Sequence, residues 1–378
     1  YRRQRQMCIR DRITTREREI LRLINSNPMI SQDQLAEKLN ITRSSVGVHI
    51  SNMVKKNLIK GRGYVTQSEP HVSVIGGSNI DLQGSTDSPL VLNDSNPGEI
   101  SMSAGGVGRN IAENLSRISL DTKMFSYVGA DALGDFLIKK TQDANVDTSF
   151  IKKHSTLPTS QYLSILDDNN DMLVSISDMR IINEMSIEDI KGFSNALNQS
   201  SVIVIDTNIP TRVIEYVTDE YSHVPLFLDT VSIAKTSKII EIIGKFHTVK
   251  PNRLEAELIT GMKITNKRSM LKAAQNIFDR GCKQIFITLG KEGVFYFDGI
   301  EHGHYCQRNI EVNSGNGAGD AFVAGIVYGF LKLNSIKKSA EYASAAAAIA
   351  LKSKNTISDE ISSRNIELIL KENKDGTK

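Results

Sequence analysis

The sequence predicts two domains: a small basic domain of three short helices, and a larger α/β domain with a doubly wound, mostly parallel sheet. Charge is the first observation behind this division, because residues 1–66 carry 14 basic and 5 acidic side chains, whereas the rest of the chain carries 32 and 38. Hydrophobic spacing is the second. It is helical before residue 66, and after residue 71 buried strands alternate with amphipathic helices. The length of 378 residues also exceeds what one core usually supports.

Composition excludes several classes of protein. A hydrophobic content of 40% with 24% charged residues is globular rather than disordered or collagen-like. No apolar run reaches about 18 residues, so no membrane span is expected. Cys8, Cys282 and Cys306 form no CxxC pair, and an odd count without metal-ligand spacing predicts reduced thiols and a cytoplasmic protein. Residues 1–12 lack periodicity and are expected to be a disordered or non-native leader.

Three helices are predicted in the first domain, residues 13–66. Thr14-x-x-Glu17 forms a capping box, Ser31 caps a second helix, and Thr42 caps a third. Asn27-Pro28 ends the first helix, and Asn40-Ile41 makes a tight turn. Apolar residues at helical spacing are expected to form the core: Ile20, Leu21, Leu23, Ile24, Leu35, Ala36, Leu39, Val46, Ile50, Met53 and Val54.

A basic hairpin is predicted after the third helix. Leu58-Ile59 and Tyr64-Val65 flank Lys60-Gly61-Arg62-Gly63, and this arrangement resembles a winged helix-turn-helix. The resemblance implies DNA binding through the third helix and the wing, by Arg43, Ser44, Ser45, His49, Asn52, Lys56 and Arg62. The alternative is a helical bundle used for docking or dimerisation.

Residues 67–70 read as a linker to the second domain, residues 71–378. HVSVIGG, which starts at His71, is a buried strand that ends in glycines. Further strands are predicted at 201–206, 225–229, 246–250, 284–288 and 293–297, and helices at 110–118, 133–144, 213–218 and 270–280. Ligands of such sheets bind at the carboxyl ends of the strands.

The segment Gly317-Ala318-Gly319-Asp320 carries the strongest chemical signal. Small residues allow close approach to a ligand, and the run enters a long apolar helix. The free N–H groups and the positive dipole end of that helix would form an anion hole for a phosphoryl group. Asp320 stands in the first turn, where it can accept a proton from an attacking hydroxyl.

Four other segments accompany it, each at a predicted strand end or helix start. They are Gly76-Gly77-Ser78-Asn79-Ile80-Asp81, which places a carboxylate at the tip of the first strand, Gly105-Gly106-Val107-Gly108-Arg109-Asn110, Lys250-Pro251-Asn252-x-x-Glu255, and Thr288-Leu289-Gly290-Lys291-Glu292-Gly293. No GxxxxGK[ST] occurs, which argues against a P-loop kinase, and no GxGxxG occurs, which argues against a dinucleotide dehydrogenase.

These five segments, in this order, resemble the ribokinase (PfkB) family of carbohydrate and nucleoside kinases, from His71 nearly to the C-terminus. The resemblance implies a ribokinase-like α/β fold with a small β lid, ATP and Mg²⁺ as cofactors, and Asp320 as catalytic base with Gly317, Ala318 and Gly319 as the anion hole. The other roles it implies are sugar binding by Asn79, Asp81, Gly105, Gly106 and Asn110, nucleotide binding by Asn252, Glu255, Thr288, Gly290 and Gly293, and water-mediated arrangement of Mg²⁺ by Glu255. Arg109 is compatible with a phosphate contact or a structural ion pair.

One departure concerns monovalent cations. The family usually has D-T-x before G-A-G-D, whereas this chain has Ser314-Gly315-Asn316. In the family the missing side chains often belong to a cation site and to phosphate contacts. The departure therefore predicts a rate that is the same in K⁺ and Na⁺, with Asn316 supplying a polar contact in their place.

Substrate expectations rest on the glycine turn and the lid. GGSNIDLQG and NPGEISMSAGGVGRNIAENLSRI are similar to the bacterial pseudouridine kinases of the family, and residues 160–163 with the pair around 167–171 match a lid segment. The resemblance implies ATP-dependent phosphorylation of the 5′-hydroxyl of pseudouridine and a homodimer. The alternatives are a kinase for another nucleoside or a free sugar, and a transcriptional regulator whose kinase-like domain senses a ligand.

Overall fold

The computed structural model describes residues 13–27, 30–56, 58–59, 70–86, 88–167, 171–307, 312, 316–353 and 355–375. The chain divides into two compact units, Tyr1–Glu69 and Pro70–Lys378. The predicted leader, the predicted wing with Arg62, and all of the predicted linker except Pro70 lie outside the described residues.

The N-terminal unit contains the three helices that the caps predict: α1 (Thr15–Ser26), α2 (Gln32–Leu39) and α3 (Arg43–Lys55). The side chains of Thr14, Ser31 and Thr42 each accept a hydrogen bond from the backbone N–H at the third helical position, which satisfies a donor that has no partner within the helix. Residues at helical spacing fill a small core: Ile20, Ile24, Leu35, Val46, Ile50 and Met53.

Val54 was predicted to lie in this core, and the structure shows that it does not. Its side chain is 48% exposed, whereas Met53 beside it is buried. Met53 continues the stripe of Val46 and Ile50 on α3, and one helical position further turns the side chain about 100° away. Leu58 and Ile59, which follow the helix, are buried in its place.

The C-terminal unit alternates strands and helices. Its strands are β1 (His71–Ile75), β2 (Asn79–Ser85), β3 (Glu99–Gly105), β4 (Thr122–Gly129), β5 (Asp147–His154), β6 (Gln161–Leu166), β7 (Met172–Asp178), β8 (Ser200–Asp206), β9 (Leu226–Asp229), β10 (Thr248–Lys250), β11 (Gln284–Thr288), β12 (Val294–Phe297) and β13 (His302–Tyr305). Its helices are α4 (Val107–Arg117), α5 (Ala132–Asp143), α6 (Ile187–Gly192), α7 (Ser194–Asn198), α8 (Thr211–Glu220), α9 (Ile233–Thr236), α10 (Arg253–Thr260), α11 (Lys267–Asp279), α12 (Ala318–Lys332), α13 (Ile336–Leu351) and α14 (Ser363–Asp375).

The large sheet is doubly wound, as predicted. Its strand order is β13-β12-β11-β10-β9-β8-β1-β4-β5, with parallel pairs from β5 to β11 and antiparallel pairs at the β13 edge. The strands that follow β1 in the chain are first placed on one side of it (β4 and β5) and then on the other (β8 to β13), so the direction of strand addition reverses at β1. A ligand crevice is expected at the carboxyl ends of the strands at such a switch point.

Side chains alternate between two core layers along each central strand. Val202 and Val204 of β8 pack with α4, α12 and α13 on one face, and Ile203 and Ile205 pack with α8 on the other. This alternation explains the unbroken apolar runs, since a parallel sheet covered on both faces buries every residue. In the described part of the chain, no helix is both long and apolar enough to cross a bilayer.

A second sheet of four strands, β3-β2-β6-β7, forms the lid. The register aligns rows of side chains across it, and successive rows face opposite sides. Two alternate rows are polar: Ser103-Asp81-Tyr162-Ser177 and Ser101-Gln83-Ser164-Ser175. The other two rows are apolar. Met102-Leu82-Leu163-Ile176 lies between the polar rows, and Ile100-Gly84-Ile165-Val174 follows the second of them. The lid therefore has one polar face, which carries Asp81, and one apolar face.

The end of β1 and the first turn of α4 pack closely at two glycines, Gly76 and Gly108. A Cβ on Gly76 would lie 2.8 Å from Cα of Gly108 and 2.4 Å from Oδ2 of Asp206, and a Cβ on Gly108 would lie 2.7 Å from Cα of Gly76. The helix can approach the end of the strand this closely only because both residues lack side chains.

Replacing Gly108 with Ala tests this contact. Alanine normally stabilises a helix by about 0.5–1 kcal/mol relative to glycine. Here the added methyl group would meet backbone atoms that cannot rotate away, so we expect a net loss of about 1–3 kcal/mol. The unfolding midpoint of the C-terminal unit in denaturant measures it. Gly192→Ala is the matched control, because no atom lies within 4 Å of its added Cβ, and equal midpoints for the two variants would contradict the close approach.

Candidate active site

Polar side chains gather at the carboxyl edge of the large sheet. Asp206, Asp229, Lys250 and Thr288 are the last residues of β8, β9, β10 and β11, and these neighbouring strands are parallel. Parallel strands bring their carboxyl ends to one edge, so the four residues lie side by side. Asp206 and Asp229 are 0% and 3% exposed, which is unusual for carboxylates.

Asp320 faces this edge from the first turn of α12. Its side chain is only 9% exposed. The residue before the helix is Gly317, whose φ of 76° lies in the left-handed region, and a Cβ there would lie 1.8 Å from the carbonyl oxygen of Thr356. Glycine is therefore required by both the conformation and the space. The first N–H groups of any helix lack partners within it, so this turn presents donors beside Asp320.

The surroundings of Asp320 oppose its ionisation. Burial, followed by the negative charge of Asp229, raises its pKa from 3.8 to about 8, and Asp206 acts in the same direction. Nδ2 of Asn110 donates a hydrogen bond of 2.8 Å to Oδ2 of Asp320, and this bond and the charge of Lys250 favour the carboxylate. A carboxyl group with such a pKa can exchange a proton near neutral pH.

The glycine turn lies next to Asp320 because Asn110 is in the first turn of α4. Gly106, before the helix, has a φ of 99°, and a Cβ there would lie 2.5 Å from Cα of Ser78. The turn therefore packs directly on the segment that joins β1 to β2. The structure thus brings together three of the predicted segments, those containing Asp320, Asn110 and Asn79.

Asp81 is near this turn, but not where the sequence placed it. It was predicted at the tip of the first strand, whereas β1 ends at Ile75 and Asp81 lies within lid strand β2. Gly76-Gly77 ends β1, and the chain then enters the second sheet. Asn79 Nδ2 donates 2.6 Å to Oδ1 of Asp81, and burial raises the pKa of Asp81 despite this bond and the charge of Arg109.

Asn252 and Glu255 form a capping box at the start of α10. The Asn252 side chain accepts from the Glu255 N–H at 2.9 Å, and Glu255 accepts from the Asn252 backbone at 2.9 Å and from its Nδ2 at 2.8 Å. Thr230 donates a further bond of 2.5 Å to Oε2 of Glu255, which is 3% exposed. The carboxylate therefore fixes the end of β9 against the start of α10, and a role in arranging Mg²⁺ through water stays a prediction.

The segment after β11 forms a tight turn. Thr288 donates its N–H to the carbonyl oxygen of Pro251 at 2.9 Å and bridges Asn252. Gly290 and Gly293 have φ values of 60° and 91°, and a Cβ on Gly293 would lie 2.1 Å from the carbonyl oxygen of Tyr305. The predicted nucleotide-binding residues are thus neighbours along one part of the sheet edge.

Among the described residues, no group of three or more His, Cys, Asp or Glu side chains forms a ready-made metal site. Mg²⁺ in kinases commonly keeps several waters and takes one or two carboxylates together with substrate phosphates. The carboxylate of Glu255, beside Asn252 at this edge, supplies hard oxygen atoms of this kind for an ion held through water. The residues therefore fit an ion that arrives with a triphosphate. Ser314 and Gly315, on which the monovalent-cation prediction rests, lie outside the described residues.

Sequence reasoning did not select Asp206, Asp229 or Lys250 as site residues. Lys250 Nζ lies 3.5 Å from Oδ1 of Asp229 and 3.6 Å from the position of a Cβ on Gly319, so its charge is beside the α12 N-terminus. Asp206 accepts N–H bonds of 2.8 Å from Gly77 and Asn208. A signal was present, because each of the three polar residues ends a buried apolar strand.

Of the two roles considered for Arg109, the structure contains the ion pair: the side chain is buried and is not exposed for a contact with phosphate. Its side chain is 4% exposed, and Nη2 donates 2.5 Å to Oε2 of Glu113 one helical turn later. Glu113 also accepts 2.9 Å from Nε of Arg117. This pair lies within α4, behind the glycine turn.

In the N-terminal unit, α3 presents a polar outer face. Arg43, Ser44 and Asn52 are exposed, Ser45 and His49 are half-buried, and Val48, Ser51 and Lys55, which were not selected, are also exposed. Lys56 is different, because its Nζ donates 2.8 Å to both carboxylate oxygens of Glu17, which is 1% exposed. Lys56 therefore compensates a buried charge, since an unpaired carboxylate there would be costly.

Two family models match the chain. That of the pfkB family carbohydrate kinases matches residues 69–363, and that of winged helix-turn-helix DNA-binding domains matches residues 13–60. The solved structure of Arabidopsis thaliana ribokinase, complexed with ribose and ATP, has a TM-score of 0.72 at 20% identity and covers 80% of this chain and 99% of its own. The ribokinase-like fold predicted from the sequence is thus confirmed.

Two relatives from Escherichia coli K12 are similar over most of their lengths. The uncharacterized sugar kinase YeiI is 34% identical over 340 residues, 89% of this chain and 94% of its own. Pseudouridine kinase is 33% identical over 304 residues, 79% and 96% respectively. The match to YeiI is longer than the 309 residues after Glu69, so it extends into the N-terminal unit. These matches show that the chain belongs to the pfkB family of carbohydrate kinases, with a winged helix-turn-helix unit before the kinase domain.

Proposed function

We propose that this kinase transfers the γ-phosphate of ATP to the 5′-hydroxyl of pseudouridine. The observation that carries the proposal is the hydrogen bond of 2.8 Å between Asn110 and Asp320, because it joins the glycine turn on the sugar side to the carboxylate at the anion-binding helix. The two reactants would meet at this junction, and phosphoryl transfer depends chiefly on such positioning.

Asp320 is the proposed base. Its carboxylate would take the proton of the 5′-hydroxyl as that oxygen attacks the γ-phosphorus, and the bond from phosphorus to the ADP oxygen would break. The raised pKa of Asp320 suits a group that must accept a proton at neutral pH. Asp81, on the polar face of the lid, would hold ribose hydroxyls.

The transferred phosphoryl group would be stabilised mainly by backbone donors. The N–H groups at Gly317, Ala318 and Gly319, at the start of α12, would be these donors, and Lys250 adds a positive charge beside Gly319. Mg²⁺ bound with ATP supplies further neutralisation of the triphosphate. Asn252, Thr288, Gly290 and Gly293 would hold the nucleotide, and Glu255 would fix Asn252.

The polar face of the lid supports a nucleoside over a free sugar. The row Ser103-Asp81-Tyr162-Ser177 extends on both sides of the carboxylate proposed to bind ribose, and the row Ser101-Gln83-Ser164-Ser175 continues it outward. A uracil ring has several donors and acceptors, and such a face can bond them. The 33% identity to pseudouridine kinase supports pseudouridine as the nucleoside, whereas the equal similarity to YeiI keeps another nucleoside or a free sugar as the alternative.

The apolar face of the lid supports the predicted homodimer. Ile100, Met102, Val174 and Ile176 are 46–81% exposed on it. A continuous apolar surface on one side of a sheet is typical of a face that packs against a second subunit. The homodimer stays a prediction.

We also propose that the N-terminal unit binds DNA through α3. Its match to winged helix-turn-helix domains and the exposed donors Arg43, Ser44, Ser51, Asn52 and Lys55 support this role. A regulator that only senses a ligand is the alternative, and the buried carboxylate of Asp320 with its glycine run favours an active kinase.

Replacing Asp320 with Asn tests the chemistry. We expect turnover to fall by about 10²–10⁴-fold because the amide cannot accept the proton, while the nucleoside affinity stays within a few-fold in calorimetry. For the unmodified enzyme, kcat/KM should rise with pH toward about 8, as Asp320 loses its proton. Asp143→Asn, an exposed change on α5, is the control. Retention of more than a tenth of the turnover by the Asp320 variant would contradict the assignment of the base.

The same variant should be more stable than the unmodified protein at alkaline pH. The folded pKa of Asp320 is above the unfolded one, so folding loses stability as pH rises from about 4 to about 8, by up to about 1.4 kcal/mol per pH unit. The neutral amide does not undergo this loss. Denaturant unfolding at pH 5 and pH 8 measures the difference between the two proteins, which should grow with pH.

A panel of nucleosides and ribose tests the identity of the substrate. Pseudouridine should give a higher kcat/KM than uridine, cytidine, inosine or ribose. Ser103→Ala and Ser177→Ala should each lower the value for pseudouridine by about 5–20-fold, as expected for one lost hydrogen bond in a binding site. Ser222→Ala, an exposed change in the turn between α8 and β9, is the matched control. Efficient phosphorylation of ribose alone would show that the substrate assignment is wrong.

A salt titration tests DNA binding. Arg43→Ala with Lys55→Ala should weaken binding to duplex DNA and reduce the salt slope by about 1 per lost phosphate contact. Arg16→Ala, an exposed change on α1, is the control. Fluorescence anisotropy between low and physiological salt gives the slopes. Equal slopes for the two variants, or no binding by the unmodified protein, would contradict the proposal.

A further inference from the structure

Arg109 is held at four points by the protein. Nη2 donates to Glu113 at 2.5 Å, Nη1 donates to the carbonyl oxygen of Ala104 at 2.9 Å and to Oδ1 of Asn110 at 3.3 Å, and Nε donates to Oγ1 of Thr141 at 3.2 Å. These partners come from β3, α4 and α5. The guanidinium group is thus fixed in place behind the glycine turn.

The contact with Asn110 decides which way its amide points. A guanidinium group can only donate hydrogen bonds, so the amide oxygen must face Arg109 and the amide nitrogen must face away. That nitrogen donates 2.8 Å to Oδ2 of Asp320. A flipped amide would place its oxygen against the carboxylate, where an acceptor meets an acceptor and no bond forms unless Asp320 is protonated.

We propose that Arg109 is a positioning residue for phosphoryl transfer, which orients the amide of Asn110 so that it holds Asp320 as a carboxylate. The proposal rests on the function proposed above for Asp320. Glu113 completes the arrangement, because it balances the charge of Arg109 and is itself fixed by Arg117 at 2.7 Å. The chain of contacts Glu113–Arg109–Asn110–Asp320 therefore runs along α4 to the first turn of α12.

The orientation matters because the charges near Asp320 are opposed. Asp206 at the end of β8 and Asp229 at the end of β9 disfavour its carboxylate, and Lys250 at the end of β10 and Asn110 on α4 favour it. Removing the amide donor leaves two negative charges against one positive charge. The group would then keep its proton to higher pH, and less of the enzyme would hold a base at neutral pH.

Arg109→Lys tests the proposal, because lysine keeps the positive charge but not the planar fork that reaches Glu113 and Asn110 together. We expect kcat to fall about tenfold with little change in the KM for pseudouridine, and the acid limb of kcat/KM to move upward by about half to one pH unit. Asn110→Ala should move the limb in the same direction. The double variant should shift it no further than Asn110→Ala, since residues that act through one another are not additive.

Arg117→Lys is the matched control. Arg117 bonds the same Glu113 but does not contact Asn110, so the acid limb should stay in place. If Arg109→Lys does not fold, Glu113→Gln serves instead, with a smaller shift in the same direction. An unchanged acid limb in Arg109→Lys, or additive shifts in the double variant, would overturn the positioning role.

A measurement without substrate separates this proposal from the proposed function. The pH dependence of stability, compared between each protein and its Asp320→Asn counterpart, reports the protonation of Asp320 directly. The curve for Arg109→Lys should be displaced upward along the pH axis relative to the unmodified protein. A displaced curve in a protein that phosphorylates no nucleoside would support the positioning role and reject the substrate, whereas superimposed curves would reject the positioning role whatever the substrate.

Discussion

The close approach of Gly76 and Gly108 is the constraint on which the rest of the site depends. It lets α4 begin directly above the end of β1, where the strand order of the sheet reverses. Asn110 then contacts Asp320. The chain enters lid strand β2 just after Gly76 and leaves lid strand β3 just before α4, so both connections to the lid lie beside this contact. A side chain at either glycine would lift the helix and move Asn110 away from Asp320.

The carboxylates at the sheet edge differ in how they are held. Asp206 accepts backbone N–H groups from Gly77 and Asn208, and Asp229 accepts one from Val231, so both are fixed by the main chain of loops at the carboxyl edge of the sheet. Asp320 is held by a side-chain amide instead. Its neighbours thus supply a fixed negative field, and Asp320 itself is held by an amide that also accepts a hydrogen bond from Arg109. Burying charges of this kind costs stability, and groups with such perturbed pKa values cluster at functional sites.

Local sequence patterns were sufficient to predict the helices and strands, but not the tertiary contacts between them. Caps such as Thr14 and Thr42, apolar runs such as residues 201–206, and glycine turns are encoded within a few residues, and the structure contains the elements they predict. Asp81 was misplaced because glycines can end a strand or bend it, and the sequence does not say which. Val54 was misplaced because one helical position separates the buried face from the exposed one. Arg109 could not be assigned without knowing that Thr141 and Ala104 lie beside it.

The two faces of the lid can vary independently. In β2, β3, β6 and β7, residues of one parity form the polar rows around Asp81, and residues of the other parity form the apolar rows. A point substitution in a polar row changes only the face that carries Asp81, and one in an apolar row changes only the opposite face. An insertion or deletion of a single residue in a lid strand would instead exchange the faces of the residues that follow it in that strand, unless a bulge absorbs it, as the register shift at Leu166 shows for β6 and β7. Point changes can therefore alter one face of the lid without the other, whereas a shift of register alters both faces of the strand in which it occurs.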